Sequence, residues 1–180
     1  MSQEDTLIKK LLSEKEKDVA FKELLHLYKE RLYWHIRKMV LNHDDADDVL
    51  QNTFIKVYQN IQNFKGESKI YSWMYRIATN EAITFLKAKA KRNNNSLEKE
   101  KDLAIKNLET DVYFEGDEIQ LKLQKAIATL PEKQQLVFNM KYFDETTYDE
   151  LSEILETSVG ALKSSYHIAV KKITKHLTEN

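Results

Sequence analysis

The sequence predicts an all-α protein made of two small helical domains. Three glycines and one proline in 180 residues leave few positions for tight turns, whereas Leu, Lys, Glu, Ala and Gln, which favour helices, are abundant. Apolar residues recur at three- and four-residue steps along most of the chain, which is the spacing of amphipathic helices. Length alone does not decide the number of domains. A change of composition near residue 93 indicates two.

The first three predicted helices precede residue 62. A short helix near residues 7–12 is followed by one over 18–40, whose buried stripe runs from Phe21 to Met39. Asn42 and Asp44 suit a helix N-terminus, so a third helix is expected to start near Asp44. At about 100° per residue, one face of this helix is apolar. The opposite face is polar and has Ile55 at its centre.

A fourth helix is predicted over residues 70–91, after a loop at 64–68 that contains Gly66. Its apolar side includes Met74 and Phe85. A different stripe of the same helix carries one large aromatic residue together with polar and cationic residues: Trp73, Arg76, Asn80, Thr84, Lys87 and Lys91. This stripe combines surface for stacking with charge for phosphates.

The charge of the chain is unevenly distributed. The formal net charge of -1 would argue against a nucleic-acid-binding protein if it were uniform. Residues 1–92, however, hold 17 Lys and Arg against 13 acids, and residues 93–118 hold three lysines against eight acids. We interpret residues 93–115 as an acidic, flexible linker with at most a loose helical turn near 103–108. A basic N-terminal domain is thus followed by an acidic linker.

The second domain is predicted to contain four helices, beginning near Ile119. Pro131 separates the first two or opens the second, which extends over 134–142. Thr147 and Glu150 have the spacing of a capping box at the start of the third helix. Ser158 can cap the last helix, which extends to about residue 176 and ends in lysines. Two short helices joined by a three-residue turn predict a helix-turn-helix.

Two blocks of the chain resemble one family of proteins. Residues 44–80 read DDADDVLQNTFIKVYQNIQNFKGESKIYSWMYRIATN, and residues 130–173 read LPEKQQLVFNMKYFDETTYDELSEILETSVGALKSSYHIAVKKI. In this order, the blocks resemble regions 2 and 4 of the extracytoplasmic-function group of bacterial sigma factors. The resemblance implies a region 2 domain over 1–92, a linker over 93–115 and a region 4 domain over 116–180.

The resemblance also implies a role for each outward surface. Contact with core RNA polymerase would fall on the third helix, at Asp48, Gln51, Asn52 and Ile55. Capture of the opened minus-ten promoter strand would fall on Phe64, Lys65, Lys69, Tyr71, Trp73, Arg76, Asn80, Thr84 and Lys87. Recognition of the minus-35 duplex would fall on Ser158, Gly160, Ala161, Lys163, Ser164, Ser165, His167, Lys171 and Lys172. The acidic linker would lie in the RNA exit path.

The chain departs from the family pattern at several positions of its second block. Glu156 stands where relatives usually have a turn glycine, and a left-handed backbone there would cost roughly 1 to 2 kcal/mol. Ser165, Ile168 and Val170 stand where arginines are common. These departures predict weak binding of the minus-35 duplex.

The sequence also bears on cofactors, partners and location. Without cysteine the chain has neither disulfides nor a thiolate metal site, and no apolar run is long enough for membrane insertion. The start of the sequence lacks the apolar stretch of a secretory signal. We therefore expect a cytoplasmic protein, monomeric when free, with no cofactor, metal or catalytic activity. The resemblance adds core RNA polymerase, promoter DNA and an anti-sigma factor as partners.

Two alternative functions remain open at this stage. One is a helix-turn-helix regulator that binds duplex DNA without polymerase, which the C-terminal half alone would support. The other is a metal-dependent hydrolase built on His43 and Asp44, because histidine and carboxylate side chains bind divalent ions. The capping role of the acids near Asp44 favours a structural interpretation over the metal site.

Overall fold

The computed structural model describes residues 2–112 and 117–179, and helices are the only regular secondary structure in these residues. The prediction of an all-α fold is confirmed. The described helices are α1 (Gln3–Leu12), α2 (Lys17–Val40), α3 (His43–Asn60), α4 (Ile70–Arg92), α5 (Leu97–Asn107), α6 (Glu118–Ala128), α7 (Glu132–Tyr142), α8 (Tyr148–Leu155) and α9 (Val159–Glu179). None of them combines the length and apolar character that a membrane crossing requires.

Helices α1 to α4 pack into an N-terminal bundle. Leu41 ends α2 in the left-handed region, with φ 59°, and its N–H donates to the carbonyl of Arg37. Asn42 then caps α3, because its side chain accepts a hydrogen bond from the Asp45 N–H at 2.9 Å. The turn between α2 and α3 is therefore only two residues long, and the two helices pack side by side with their apolar faces together.

Helices α6 to α9 form the C-terminal half of the molecule. Ile127, Leu130, Phe138 and Ile173 form the centre of a core between α6, α7 and α9. Pro131 immediately precedes α7, in agreement with its predicted position between two helices. The capping box predicted at the start of α8 is present, since the side chain of Thr147 accepts from the Glu150 N–H and that of Glu150 from the Thr147 N–H.

The two halves share one hydrophobic core. Side chains of α7, α8 and α9, namely Val137, Met140, Leu151, Ile154 and Leu162, belong to the same buried cluster as those of α1 to α4. Leu151 is inaccessible to solvent and Ile154 nearly so. The C-terminal half therefore lies against the N-terminal bundle, with α8 packed on α4.

The segment predicted as a linker is more ordered than we expected from its composition. Ser96 caps α5 through a hydrogen bond from the Lys99 N–H, and a short 3-10 helix at Leu108–Thr110 follows α5. Leu108 is completely buried against Leu41 and Ala128. The acidic composition did not predict this order, because a helix can be held by a few apolar residues at helical spacing. The predicted linker end at 115 and domain start at 116 lie outside the described residues.

Candidate nucleic-acid interface

The outward face of α3 is open to solvent, as its periodicity predicts. Asp48, Gln51, Asn52 and Ile55 are all exposed, and 53% of Ile55 is accessible. The opposite face, which includes Val49 and Val57, is buried in the N-terminal bundle. This face is therefore free to contact a partner, with Ile55 as an apolar centre and polar groups around it.

Trp73 lies at the start of α4 beside the loop that precedes it. Its ring lies 5.4 Å from that of Phe64, which is buried, whereas Trp73 is only partly buried. Lys65 in the same loop is exposed, and Gly66 adopts a φ of 72°, which glycine tolerates without strain. Phe64 therefore supports the Trp73 ring rather than presenting its own face to solvent.

The other end of the predicted stripe is accessible. Asn80, Thr84 and Lys87 lie about two to four turns further along α4 than Trp73, and all three are exposed. Residues of this stripe extend along one side of the helix for about 20 Å, at 1.5 Å per residue. Together with Trp73 they form an aromatic, polar and basic surface of the kind that holds single-stranded nucleic acid.

Tyr71 is buried in this structure. Its ring lies 4.6 Å from that of Tyr75, and its hydroxyl is 3.1 Å from the Thr146 hydroxyl in the C-terminal half. The Arg31 guanidinium lies over the ring at 4.8 Å from its centre. Burial raises the pKa of the Tyr71 phenol above its ordinary value. In this conformation the ring has no free face for a base.

Two of the predicted strand-binding cations form ion pairs with the C-terminal half. Lys69 Nζ lies 2.7 Å from a carboxylate oxygen of Glu150, and Arg76 Nη1 lies 3.2 Å from one of Glu156. Arg76 also donates a hydrogen bond to the main-chain carbonyl of Glu153. Burial opposes ionisation of Glu150, but hydrogen bonds from Lys69 and Thr147 outweigh it and lower the pKa of its carboxyl to about 2.

The helix-turn-helix is formed by α8 and α9. Glu156 adopts φ 50° and ψ 43°, so the left-handed turn expected at this departure from the family pattern is present. Ser158 caps α9, although the hydrogen bond from the Ala161 N–H is long, at 3.4 Å. Ile168 and Val170 are exposed, so apolar groups occupy surface where arginines would supply charge.

Most of the predicted minus-35 residues lie on the outward face of α9. The exposed members of this set are Ser158, Gly160, Ala161, Lys163, Ser164, His167, Lys171 and Lys172. Ser165 is partly buried, and Lys172 donates to the side chain of Gln134 at 3.1 Å. No atom of the described chain would lie within 4 Å of a Cβ added at Gly160, so the first turn of α9 offers an open surface.

His43 and Asp44 do not meet other ligands of the kind that a metal site needs. In residues 2–112 and 117–179, no group of three or more His, Cys, Asp or Glu side chains is placed to hold a metal ion. His43 instead has its Nδ1 2.7 Å from the Tyr33 hydroxyl and its Nε2 3.5 Å from Asp47. The acids of this segment lie in the first turn of α3, where the helix dipole favours them.

Sequence reasoning did not identify the residues that join the two halves. Asp144 and Thr146 lie between α7 and α8 and contact α2 and α4, and Glu150 on α8 contacts Lys69. These pairs are separated by 75 residues or more along the chain. Periodicity reports only which face of a helix is buried, so no local spacing signals such pairs.

The fold and these surfaces define a helical DNA-binding protein with a C-terminal helix-turn-helix. The models of sigma-70 region 2 and sigma-70 region 4 match residues 24–92 and 120–173. The chain is 30% identical to the ECF RNA polymerase sigma factor SigW of Bacillus subtilis, over 97% of this chain and 99% of SigW. It is 31% identical to the RNA polymerase sigma-H factor of Pseudomonas aeruginosa, over 88% of this chain and 86% of that protein.

Solved structures share the fold. CnrH, in complex with the cytosolic domain of CnrY, matches with a TM-score of 0.74 at 16% identity, over 99% of both chains. The sigma factor RpoE of Bartonella quintana, in complex with the anti-sigma factor NepR, matches with a TM-score of 0.68 at 18% identity, over 88% of this chain and 96% of RpoE. The chain belongs to the extracytoplasmic-function group of the sigma-70 family, the transcription initiation factors that direct bacterial RNA polymerase to promoters.

Proposed function

We propose that this sigma factor binds core RNA polymerase through the outward face of α3. Asp48, Gln51 and Asn52 would supply polar contacts around Ile55, whose side chain would enter an apolar recess of the enzyme. The observation that carries this proposal is the exposure of all four residues on one face of a helix whose other face is fully packed. A buried apolar centre with a polar rim is the usual composition of a specific protein interface.

The α4 surface would hold the opened minus-ten strand, and α9 would contact the minus-35 duplex. Trp73 can stack on an unpaired base, a contact worth about 1 to 3 kcal/mol, while Lys65, Lys69, Arg76 and Lys87 would meet phosphates. On α9, Lys163 and Lys171 would meet phosphates, and the hydroxyl of Ser164 and the ring of His167 would reach base edges. The domains that carry these surfaces would be 1–92 and 116–180.

We also infer that the chain has no catalytic activity of its own, acts in the cytoplasm and is inhibited by an anti-sigma factor. CnrH and RpoE, which share its fold, were both solved with a bound partner. Purification of the tagged chain from its own host tests the inferred inhibition by an anti-sigma factor. The expected result is an equimolar partner that blocks promoter-specific transcription and whose removal restores it; a chain that is recovered alone and fully active would contradict it.

Run-off transcription with purified core polymerase is the direct test of the proposed function. Core enzyme supplemented with the chain should produce discrete transcripts from promoters that core enzyme alone ignores. Sequencing of those transcripts would define the promoter elements. If the chain instead binds the same duplex equally well without polymerase, and adds no transcripts, the function is that of an independent helix-turn-helix regulator.

The α3 interface is tested by reversing one charge. Asp48→Arg should weaken binding to core polymerase by at least about tenfold, because it removes the proposed carboxylate contact and places a longer side chain of opposite charge in the interface. Asp48 is exposed, so the far-UV circular dichroism and thermal midpoint should not change. Glu14→Arg, at an exposed acid outside α3, is the matched control and should co-elute with core polymerase as the unmodified chain does. Equal co-elution of both variants would reject the assignment.

A further inference from the structure

The C-terminal half covers the beginning of one of the three predicted surfaces and leaves the other two open. The polymerase-binding face of α3 and the outward face of α9 are exposed. The beginning of α4, by contrast, lies under α8 and the segment 143–147 that precedes it. Of the three predicted surfaces, the contact therefore covers only part of the one assigned to the opened strand.

The contact supplies carboxylate groups to the cations that are proposed to bind the phosphates of the strand. Glu150 and Glu156 place carboxylates on Lys69 and Arg76, which are two of the cations that would otherwise meet phosphates. The main-chain carbonyl of Glu153 accepts a further hydrogen bond from Arg76. The carboxylates of Glu150 on α8 and Glu156 in the turn after it, together with the Glu153 carbonyl, therefore occupy positions where phosphate oxygens would bind.

The aromatic part of the surface is blocked by the same contact. Tyr71 is held against Tyr75 and hydrogen-bonded to Thr146, so its ring is closed to solvent. Trp73 remains partly accessible, but the cations on either side of it are engaged. A strand stacked on Trp73 could pair its phosphates with Lys69 and Arg76 only in competition with Glu150 and Glu156.

The segment 143–147, which precedes α8, also bonds to α2. The Asp144 carboxylate accepts a hydrogen bond from Lys38 at 2.9 Å. Lys141 Nζ donates to the Thr146 carbonyl at 3.0 Å, which holds the segment in its turn. Beneath these polar contacts, Ile154 and Leu151 extend the shared core.

Some buried polar atoms at this contact nevertheless lack hydrogen-bond partners. In the described chain, neither Arg76 Nε nor Asp144 Oδ2 has a hydrogen-bond partner, although both are buried. Buried polar atoms without partners weaken the interface that contains them. A phosphate could satisfy more of the Arg76 guanidinium than one carboxylate and one carbonyl do, because the guanidinium carries five donors. The surface is therefore open to replacement of α8 by a strand.

We propose that α8 is an intramolecular competitor for the minus-ten strand, so that this conformation can meet polymerase and upstream duplex but cannot capture an opened strand. This inference rests on the function proposed above for α4. Displacement of α8 from Lys69 and Arg76 then precedes strand capture. The competitor is built from α8 itself and needs no second protein.

Charge removal on α8 tests the competition. Glu150→Gln combined with Glu156→Gln removes both carboxylates, and glutamine at 150 still completes the capping box. The double variant should bind a fluorescent single-stranded minus-ten oligonucleotide, taken from a promoter mapped by run-off transcription, about two- to fivefold more tightly for each pair removed. Glu153→Gln is the matched control, because Glu153 contacts Arg76 only through its main chain. Equal affinities of the double variant and the control would overturn the proposal.

A reversible crosslink provides a second test that does not alter the strand-binding residues. The chain has no cysteine, so Lys38→Cys with Asp144→Cys can be joined specifically by a short bis-maleimide that contains a cleavable disulfide. The crosslinked chain should still co-elute with core polymerase, yet permanganate-reactive promoter opening should fall at least tenfold and return after reduction.

Three outcomes separate the two proposals. If the crosslinked chain opens the promoter as well as the reduced chain, the competition is rejected. If the crosslinked chain fails to bind core polymerase, the claim that the closed form leaves α3 accessible is rejected. If the reduced chain and the unmodified chain both fail to open any promoter, the function proposed for α4 is rejected instead.

Discussion

His35 is a completely buried histidine at the contact between the two halves of the molecule. Its Nε2 lies 2.8 Å from the Thr79 hydroxyl, which itself donates to the Tyr75 carbonyl at 2.8 Å. The Thr79 oxygen therefore accepts from His35, which assigns the ring proton to Nε2 and leaves Nδ1 facing Asp144. Burial lowers the pKa of His35 to about 4; the Asp144 charge opposes this change and the Lys38 charge adds to it.

This histidine predicts how stability depends on pH. The unfolded chain binds a proton at the ordinary pKa of 6.5, but the folded chain binds it only near 4. The contribution of His35 to stability is therefore complete above about pH 6.5 and declines as the pH falls towards 4, by on the order of 3 kcal/mol. Urea unfolding between pH 7.5 and 4 should show this decline.

A substitution identifies the residue responsible. His35→Gln should flatten the decline between pH 6.5 and 4, since its side chain does not titrate. His26→Gln, at an exposed histidine on the same helix, should keep it. If both variants follow the unmodified chain, another group determines the acid sensitivity.

At the scale of the element, the turn between α8 and α9 is strained. Glu156 has φ 50° and ψ 43°, a conformation that costs a residue with a Cβ roughly 1 to 2 kcal/mol. Its carboxylate pairs with Arg76, but the Glu156 side chain is 73% exposed, so the pair adds little stability. The free-energy cost of the left-handed backbone at Glu156 therefore exceeds the stabilisation from its ion pair with Arg76.

Glu156→Gly should therefore raise the free energy of unfolding by about 1 kcal/mol. Glu156→Ala removes the same carboxylate and keeps the strain, so it should leave stability unchanged or slightly lower. The urea midpoints of the two variants measure the difference. A glycine variant no more stable than the alanine variant would show that the turn is relaxed.

The helices themselves could be predicted well from the sequence, because their signals are local. The cap at Asn42, the capping box at Thr147 and Glu150, and the break at Pro131 all depend on neighbours within a few residues. Helix α5 was underestimated because its acidic residues suggested a solvated tether. The 3-10 helix that follows α5 buries Leu108 against Leu41 and Ala128, which are distant in sequence.

At the scale of the whole molecule, the surfaces could be predicted but not the relation between them. The outward residues of α3 and α9 follow from helical periodicity, and those assigned to the two interfaces are exposed except for Ser165, which is partly buried. The burial of Tyr71 and the pairing of Lys69 and Arg76 depend on how two halves of the chain dock. Such docking is determined by pairs of complementary surfaces, which leave no period in the sequence.

The shared core predicts that the two halves unfold together. Both tryptophans, Trp34 and Trp73, lie in the N-terminal bundle, so fluorescence reports on that half while far-UV circular dichroism reports on the whole chain. The two urea transitions should coincide. Ile154→Ala, on α8, should shift both midpoints together and cost about 2 to 5 kcal/mol. A fluorescence midpoint unaffected by this substitution would mean that the halves are independent.

Helix α5 also shortens the connection between the two halves of the molecule. Its eleven residues span about 16 Å as a helix, at 1.5 Å per residue, but about 36 Å when extended. Unwinding α5 would thus release roughly 20 Å of additional reach, at the cost of withdrawing Leu108 from its apolar pocket. The helical form therefore fits the docked arrangement, and the function proposed above would need the extended form only if α4 and α9 contact separate stretches of DNA.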